Sequence, residues 1–178
     1  AIACAKLGAK VLLSTLNVEH IALMPCNPAV GGPAKSTLVR EIDALGGVMG
    51  EAADATYIQM KMLNSSKGPA VRALRAQSDK RQYMDYMRNI IEHNDNIFLR
   101  QACITDLLVE NNKIVGAVDE FGIEYRAGAV VLTTGTSLNG RIFVGLRSYS
   151  AGRMGEKAAY GLSESLIKHG INIKKLKT

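Results

Sequence analysis

No apolar run in this 178-residue sequence approaches the roughly 20 residues that a membrane-crossing helix needs, because Lys6, Lys10 and Glu19 break the one early candidate. A soluble chain with no membrane association is the expectation. Cysteine is scarce: Cys4, Cys26 and Cys103 lie far apart, form no CxxC pair and leave an odd number, which argues against a disulfide framework and for free thiols in a reducing compartment. The histidines His20, His93 and His169 share no ligand spacing with one another or with the cysteines, so no metal site is expected. GxSxG, P-loop and HExxH patterns are missing, which removes the commonest signatures of hydrolase, NTPase and zinc-protease chemistry. There is no internal repeat, low-complexity tract or linker. The first residue is not Met, AIACAKLGAK reads as the last turns of a helix, and KKLKT carries no closing signal. An interior piece of a longer protein, truncated at both ends, is therefore expected.

Composition is that of an ordinary globular chain. Hydrophobic residues make up 47% and charged residues 21%, enough to build a packed core. The 22 Lys+Arg against 16 Asp+Glu leave a net charge of +6, a moderate excess that suits a polyanionic partner but is equally common in enzymes without one.

The run KVLLST, Lys10 to Thr15, sits between Gly8 and Asn17 and reads as a buried parallel strand preceded by a helix. Leu38, Val39, Ile42 and Leu45 recur at helical spacing ahead of Gly46-Gly47, and Tyr83, Met87, Ile90 and Ile91 mark a second helix over Asp79 to His93. A long arginine-bearing connection separates the two helices. From Ile97 to Thr134 short strand-like runs alternate with the turns NNK and EFG. They predict an antiparallel meander, inserted at about 103–127, whose apolar last member, Ala129 to Thr134, suits a central parallel strand. A final helix is expected over Glu156 to His169, stopped by Gly170. The whole order predicts an α/β, Rossmann-like chain, 1–178 forming one partial domain: a parallel sheet with helices plus an inserted antiparallel β-meander.

Three stretches carry candidate chemistry. In MPCNPAVGGPAKS, Met24 to Ser36, Pro25 and Pro28 stiffen the chain around Cys26, while Gly31 and Gly32 permit a tight turn or close approach of a ligand. Pro33 suits the first turn of a helix whose free N–H groups attract anions and lower a nearby thiol's pKa. A small cysteine packing a turn explains the same residues. In SKGPAVRALRAQSDKR, Ser66 to Arg81, Lys67, Arg72 and Arg75 cluster around a Gly-Pro turn. Arginine recognises phosphate through paired contacts, although no aromatic residue is interleaved for base stacking and a solvated basic face is the alternative. In RAGAVVLTTGTSLNG, an apolar run ends at Thr134-Gly135-Thr136, where glycine lets a flat or phosphorylated ligand come close.

Together, MPCNPAVGGPAKSTLVREIDALGG, IQMKMLNSSKGPAVRALRAQ, VVLTTGTSLNGRIFVGLRSYSAGR and GLSESL resemble the MnmG (GidA) family in one continuous register over essentially the whole chain. The resemblance implies an FAD-dependent enzyme that builds a carboxymethylaminomethyl-type group on C5 of the wobble uridine of tRNA. It implies methylenetetrahydrofolate as one-carbon donor, NADH as reductant bound outside this segment, an MnmE-type GTPase as partner, a homodimer and heterotetramer, and a cytoplasmic location, or a mitochondrial one in a eukaryote. It also implies that the first strand, with its GxGxxG turn, lies upstream.

By the same resemblance, Cys26 falls on a cysteine held to be catalytic, and a second such cysteine would lie beyond Thr178. The cofactor-facing positions are Ser14, Asn27, Gly31 and Gly32 in the first half. In the second half they are Ile104, whose backbone would meet the adenine, Thr134, Gly135 and Thr136, and Ala159, where the family often has serine. Lys67, Arg72 and Arg75 would face the nucleic acid. Ser14-Thr15 stands where many flavoproteins place the acid that holds the ribose. The rivals are an FAD-dependent oxidoreductase acting on a small molecule, with a structural cysteine, and a noncatalytic module that binds tRNA or the GTPase.

Overall fold

The computed structural model describes residues 1–25, 27–153 and 155–174. The chain divides into two compact units, Ala1–Gln101 and Ala102–Thr178. In the first unit, helix α1 (Ile2–Lys6) leads through Gly8, at φ +86°, into strand β1 (Val11–Thr15). Strand β2 (Ala29–Gly31), helices α2 (Lys35–Ala44) and α3 (Met49–Thr56), strands β3 (Tyr57–Leu63) and β4 (Ala73–Ser78), helix α4 (Lys80–Glu92) and strand β5 (Ile97–Gln101) follow.

β1 pairs parallel with β5, Val11 opposite Ile97 through Thr15 opposite Gln101. This is the expected α/β step, since parallel neighbours need a crossover through other elements. The pairing also takes Ile97–Gln101 out of the predicted meander. Its apolar residues Ile97 and Leu99 pack with Ile2, Val48 and Ile91 in one core, and a run buried this way fits a parallel strand as well as a meander member.

α4 follows the sequence closely. Asp79 caps it by accepting the backbone N–H groups of Arg81 and Gln82, both at 2.9 Å, and the stripe of Tyr83, Met87, Ile90 and Ile91 packs inward. α2 begins at Lys35 with Ala34 as its N-cap, so Pro33 precedes the cap instead of occupying the first turn. The Ser36 N–H already reaches the Gly32 carbonyl at 2.9 Å, and this early turn places the proline just outside.

The arginine-bearing connection is a second sheet, ordered β2-β4-β3 and antiparallel throughout. Val30 and Ala76 bury one face of it against Ala52, Ala53 and Tyr83. Six of the seven residues of β3 are exposed, so the main-chain ladder holds this strand and no apolar alternation announces it.

The second unit opens with the antiparallel meander β6 (Ile104–Glu110), β7 (Lys113–Asp119) and β8 (Glu124–Arg126). Asn111 and Asn112, at φ +49° and +60°, make the first turn. Hairpin β9 (Arg141–Val144) and β10 (Arg147–Ser150) and helix α5 (Leu162–Lys168) complete the unit. Leu162 and Leu166 of α5 pack on Leu107 and Ala117 of the meander.

Two expectations are corrected here. Ala129 to Thr134 joins no ladder among the described residues, and Val131 is 78% exposed; apolar content favours a strand only where a neighbour supplies the other half of its hydrogen bonds. The last helix begins at Leu162 and not at Glu156, because Gly161 sits at φ +91°, outside helical geometry. Among the described residues, no helix is long and apolar enough to cross a membrane, and no group of three or more His, Cys, Asp or Glu side chains is placed to hold a metal ion.

Candidate functional site

In the first unit the carboxyl ends of the parallel pair β1–β5 lie side by side, with Ser14 opposite Arg100 and Thr15 opposite Gln101. Ligands of open α/β sheets sit outside the carboxyl ends of their parallel strands. The backbone is tied off directly after β1. Thr15 Oγ1 donates to the Asn17 carbonyl at 3.3 Å, and the Gln101 side-chain oxygen accepts the Val18 N–H at 3.2 Å. Ser14 therefore presents a hydroxyl-bearing residue on a braced strand end.

Cys26 lies outside the described residues. The chain just after it is hydrogen-bonded: the Ala29 N–H donates to the Asn27 carbonyl at 2.7 Å, and the Ser78 N–H donates to the Pro28 carbonyl at 2.8 Å. Gly31, at φ +106°, runs so close to β4 that a Cβ there would collide with the Leu74 carbonyl oxygen. Gly32, at φ +110°, donates its N–H to that same oxygen at 2.9 Å but has open space where its side chain would be. The two glycines thus do different work. Gly31 allows the strand contact, and the buried Gly32 ties the turn into α2, its carbonyl accepting the Ser36 N–H at 2.9 Å.

The register brings part of the basic stretch to this loop. Arg75 of β4 stands opposite Gly31 of β2 on one side and Lys61 of β3 on the other. Lys35 reaches the same sheet, its Nζ donating to the Ala29 carbonyl at 3.0 Å. Lys67 and Arg72 lie in the loop between β3 and β4, where Arg72 Nε donates to the Lys67 carbonyl at 3.0 Å. Lys61 went unassigned in the sequence. The period-2 pairs Gln59/Lys61 and Arg75/Gln77 were the signal for it, masked by the methionines between them.

In the second unit Ile104 pairs with Asp119 at the start of β6 and packs beside Leu107 and Leu162, which leaves its backbone as the part able to meet a ligand. Thr134, Gly135 and Thr136 form a turn closed by the Ser137 N–H on the Thr134 carbonyl at 3.2 Å. Gly135 takes φ +56° with nothing within 4 Å of a built Cβ, so a flat group can approach the main chain there. Thr136 Oγ1 donates to the Gly152 carbonyl at 3.2 Å. The buried Ala159 joins the same cluster through a parallel bridge to Leu138: its N–H donates to Ser137 O at 2.8 Å and its carbonyl accepts the Asn139 N–H at 2.8 Å. With the amide engaged, Ala159 shapes this turn instead of offering a free donor. Gly140 was not singled out in the sequence, yet a Cβ there would strike the carbonyls of Ala151 and Thr136.

Cys103 is no rival for thiol chemistry. Burial and, next, the negative charge of Glu120 push its thiol up, opposed by a backbone hydrogen bond with Tyr160, so the nucleophilic thiolate is disfavoured.

The family model described as glucose inhibited division protein A matches residues 1–178, the whole chain. The chain belongs to the GidA family. A Lactobacillus delbrueckii subsp. bulgaricus protein named tRNA uridine 5-carboxymethylaminomethyl modification enzyme MnmG is 54% identical over 178 residues, and one of the same name from Synechocystis sp. is 52% identical over 179. All of this chain is covered in both matches, but it spans only 28% of the length of each relative. Aquifex aeolicus GidA superposes with a TM-score of 0.89 at 48% identity, covering 94% of this chain and 28% of that one. The GidA-related protein of Thermus thermophilus, at 24% identity and a TM-score of 0.59, shares the fold and is covered over 59% of its length by 92% of this chain. For a GidA chain, the mixed α/β layout with its parallel pair is that of a Rossmann-like, FAD-binding type of domain.

Proposed function

We propose that this chain is part of a flavin-dependent enzyme that modifies C5 of the wobble uridine in tRNA. One observation carries the reading: 54% identity extends over all 178 residues to a protein named for tRNA uridine 5-carboxymethylaminomethyl modification. On this reading 1–178 is a partial FAD-binding domain with an inserted meander at about 103–127. Features within each unit support this reading. Ser14 stands at the end of a parallel strand in the first unit, and Gly135 leaves backbone open at positive φ in the second; the resemblance gives the Ile104 main chain as the part that would meet the adenine. The resemblance also gives Asn27, Gly31 and Gly32 in the first unit and Thr134, Thr136 and Ala159 in the second as cofactor-facing.

Bound FAD would supply the redox chemistry linking NADH to the one-carbon unit of methylenetetrahydrofolate. The chain's own contribution is nucleophilic and positional. The Cys26 thiolate adds to uracil C6, forming an S–C6 bond and moving the electron pair of the C5–C6 double bond to C5, which attacks the electrophilic carbon; loss of the C5 proton then expels the thiolate. Acid/base work by Cys26 is the alternative role. Lys67, Arg72 and Arg75 hold the tRNA backbone. An MnmE-type GTPase, a homodimer within a heterotetramer and a cytoplasmic site of action complete the proposal.

The test is a visible absorption spectrum of the intact protein together with a tRNA modification assay. Flavin bands and tRNA-dependent turnover with NADH and methylenetetrahydrofolate are expected. A colourless protein that takes up no added flavin, or turnover with small acceptors alone, defeats the proposal.

A further inference from the structure

We infer that Lys61 and Arg75 form a two-cation clamp for a single phosphoryl group on the open face of the β2-β4-β3 sheet. Residues directly opposite in an antiparallel ladder project to the same face, and like charges in that position destabilise the pairing. Arg75 faces Lys61 in this way. Among the described residues no carboxylate forms an ion pair with either. The neighbouring row on that face is Ala29, Gln77 and Gln59, which adds amide donors and no acid. On Arg75's other flank stands Gly31, which contributes no acid. A solvated surface lysine would be indifferent to its neighbours, whereas here the backbone register sets two cations opposite each other beside a row that bears amides and no acid. An oxyanion bridging both ammonium and guanidinium relieves the repulsion.

The chemistry is that of a phosphoryl group, available from an RNA backbone or from a small pyrophosphate or nucleotide. The RNA source rests on the function proposed above; the clamp itself does not.

The experiment uses the full-length protein, wild type and with Lys61→Gln, Arg75→Gln or Lys61→Glu. It measures thermal midpoint against inorganic pyrophosphate and RNA affinity against salt. Lys61→Glu places opposite charges across the strands, so it keeps the fold while removing the anion site. Without ligand its midpoint is expected to equal or exceed that of wild type. If a small phosphate occupies the clamp, pyrophosphate raises the wild-type midpoint and the response disappears in each variant. If RNA occupies it, the slope of log affinity on log salt falls by about 1 in the variants. Either outcome supports the clamp and names its source. Identical pyrophosphate responses and identical salt slopes in all four proteins overturn it, even where RNA binding and modification persist. Failure of the wild type to bind tRNA at all would refute the proposed function, and the pyrophosphate arm would still decide the clamp.

Discussion

The Ser165 hydroxyl donates to the Asp106 carboxylate, joining α5 to β6, and both groups converge on one backbone donor: the Leu107 N–H lies 2.8 Å from Asp106 Oδ1 and 3.2 Å from Ser165 Oγ. Ser165 is buried. Its hydroxyl is the leading reason that the Asp106 carboxyl titrates below its ordinary range; partial burial opposes this, while the Leu107 N–H and the charges of Lys168 and His169 help.

Ser165→Ala should therefore destabilise the second unit by about 1 kcal/mol at neutral pH, a hydrogen bond to a charged group reduced for solvent screening. A carboxyl with a lowered folded-state pKa stabilises the fold above its unfolded value of about 3.9 and loses that contribution as pH falls through the folded value. Urea unfolding of wild type and variant should show their difference at pH 7 and see it shrink below about pH 4. A gap independent of pH would assign the loss to packing.

Gly31 and Gly32 are adjacent and both at positive φ, yet alanine should not affect them equally. At Gly32 the cost is backbone strain alone, about 1–2 kcal/mol. At Gly31 the new methyl also meets the Leu74 carbonyl, so β2 must shift from β4 and a loss exceeding that of Gly32→Ala by about 1–3 kcal/mol is expected. Denaturation midpoints of the two variants measure the difference. Equal losses would mean that β2 moves freely.

The contrast between these glycines was invisible in GGPAK. Composition announced that the chain turns here; only the register of β2 on β4 says which glycine is needed for contact and which only for its backbone angle. The same division holds elsewhere. β1 and α4 were legible because their apolar residues recur at the spacing that buries them, whereas β5 was legible as a strand but read into the meander. β3 was not, because a strand with six exposed residues is held by its ladder to β4, and ladder partners are a property of the fold. The hairpin β9–β10 was hidden for a related reason. Its strands are mostly exposed, so no apolar alternation marks them, and they meet at the two-residue turn Gly145-Leu146, with Gly145 at φ +58°. Conversely, Ala129 to Thr134 is apolar enough to suggest a central strand but has no ladder among the described residues. At the candidate site, residue types were readable and their neighbours were not. Arg75 was picked out for its charge, but Lys61 needed the cross-strand register.

Arg72 and Arg75 should separate in their effects. Arg72 Nε is committed to the Lys67 carbonyl, so Arg72→Ala loosens the loop that carries Lys67 and acts through two residues. Arg75 lies on the central strand of its sheet, where its loss removes a charge from a fixed position. In the intact protein the double variant should bind tRNA more weakly and with a flatter salt dependence, by about 1–2 in the logarithmic slope. Affinities at several salt concentrations check this, and unchanged slopes would leave both arginines to structure or cofactor.

Cys26 and Cys103 provide the last comparison. Cys26 itself lies outside the described residues, while the chain that follows it is hydrogen-bonded through Asn27 and Pro28; the proposed function gives its thiol the nucleophilic role. Cys103 sits in a setting that raises its pKa and so withholds the thiolate. In the full-length protein, Cys26→Ser should retain the flavin spectrum and tRNA affinity while uridine modification drops by at least about 100-fold, the scale lost when a covalent or proton-transferring group is removed. Cys103→Ser should leave modification near the wild-type rate. Mass analysis of nucleosides from treated tRNA, alongside the visible spectrum, reads both effects. Modification that survives Cys26→Ser would return that cysteine to the packing of a turn and leave thiol catalysis to residues outside this segment, because the remaining cysteine of the first unit, Cys4, belongs to helix α1 and lies exposed, away from the Pro/Gly loop in sequence.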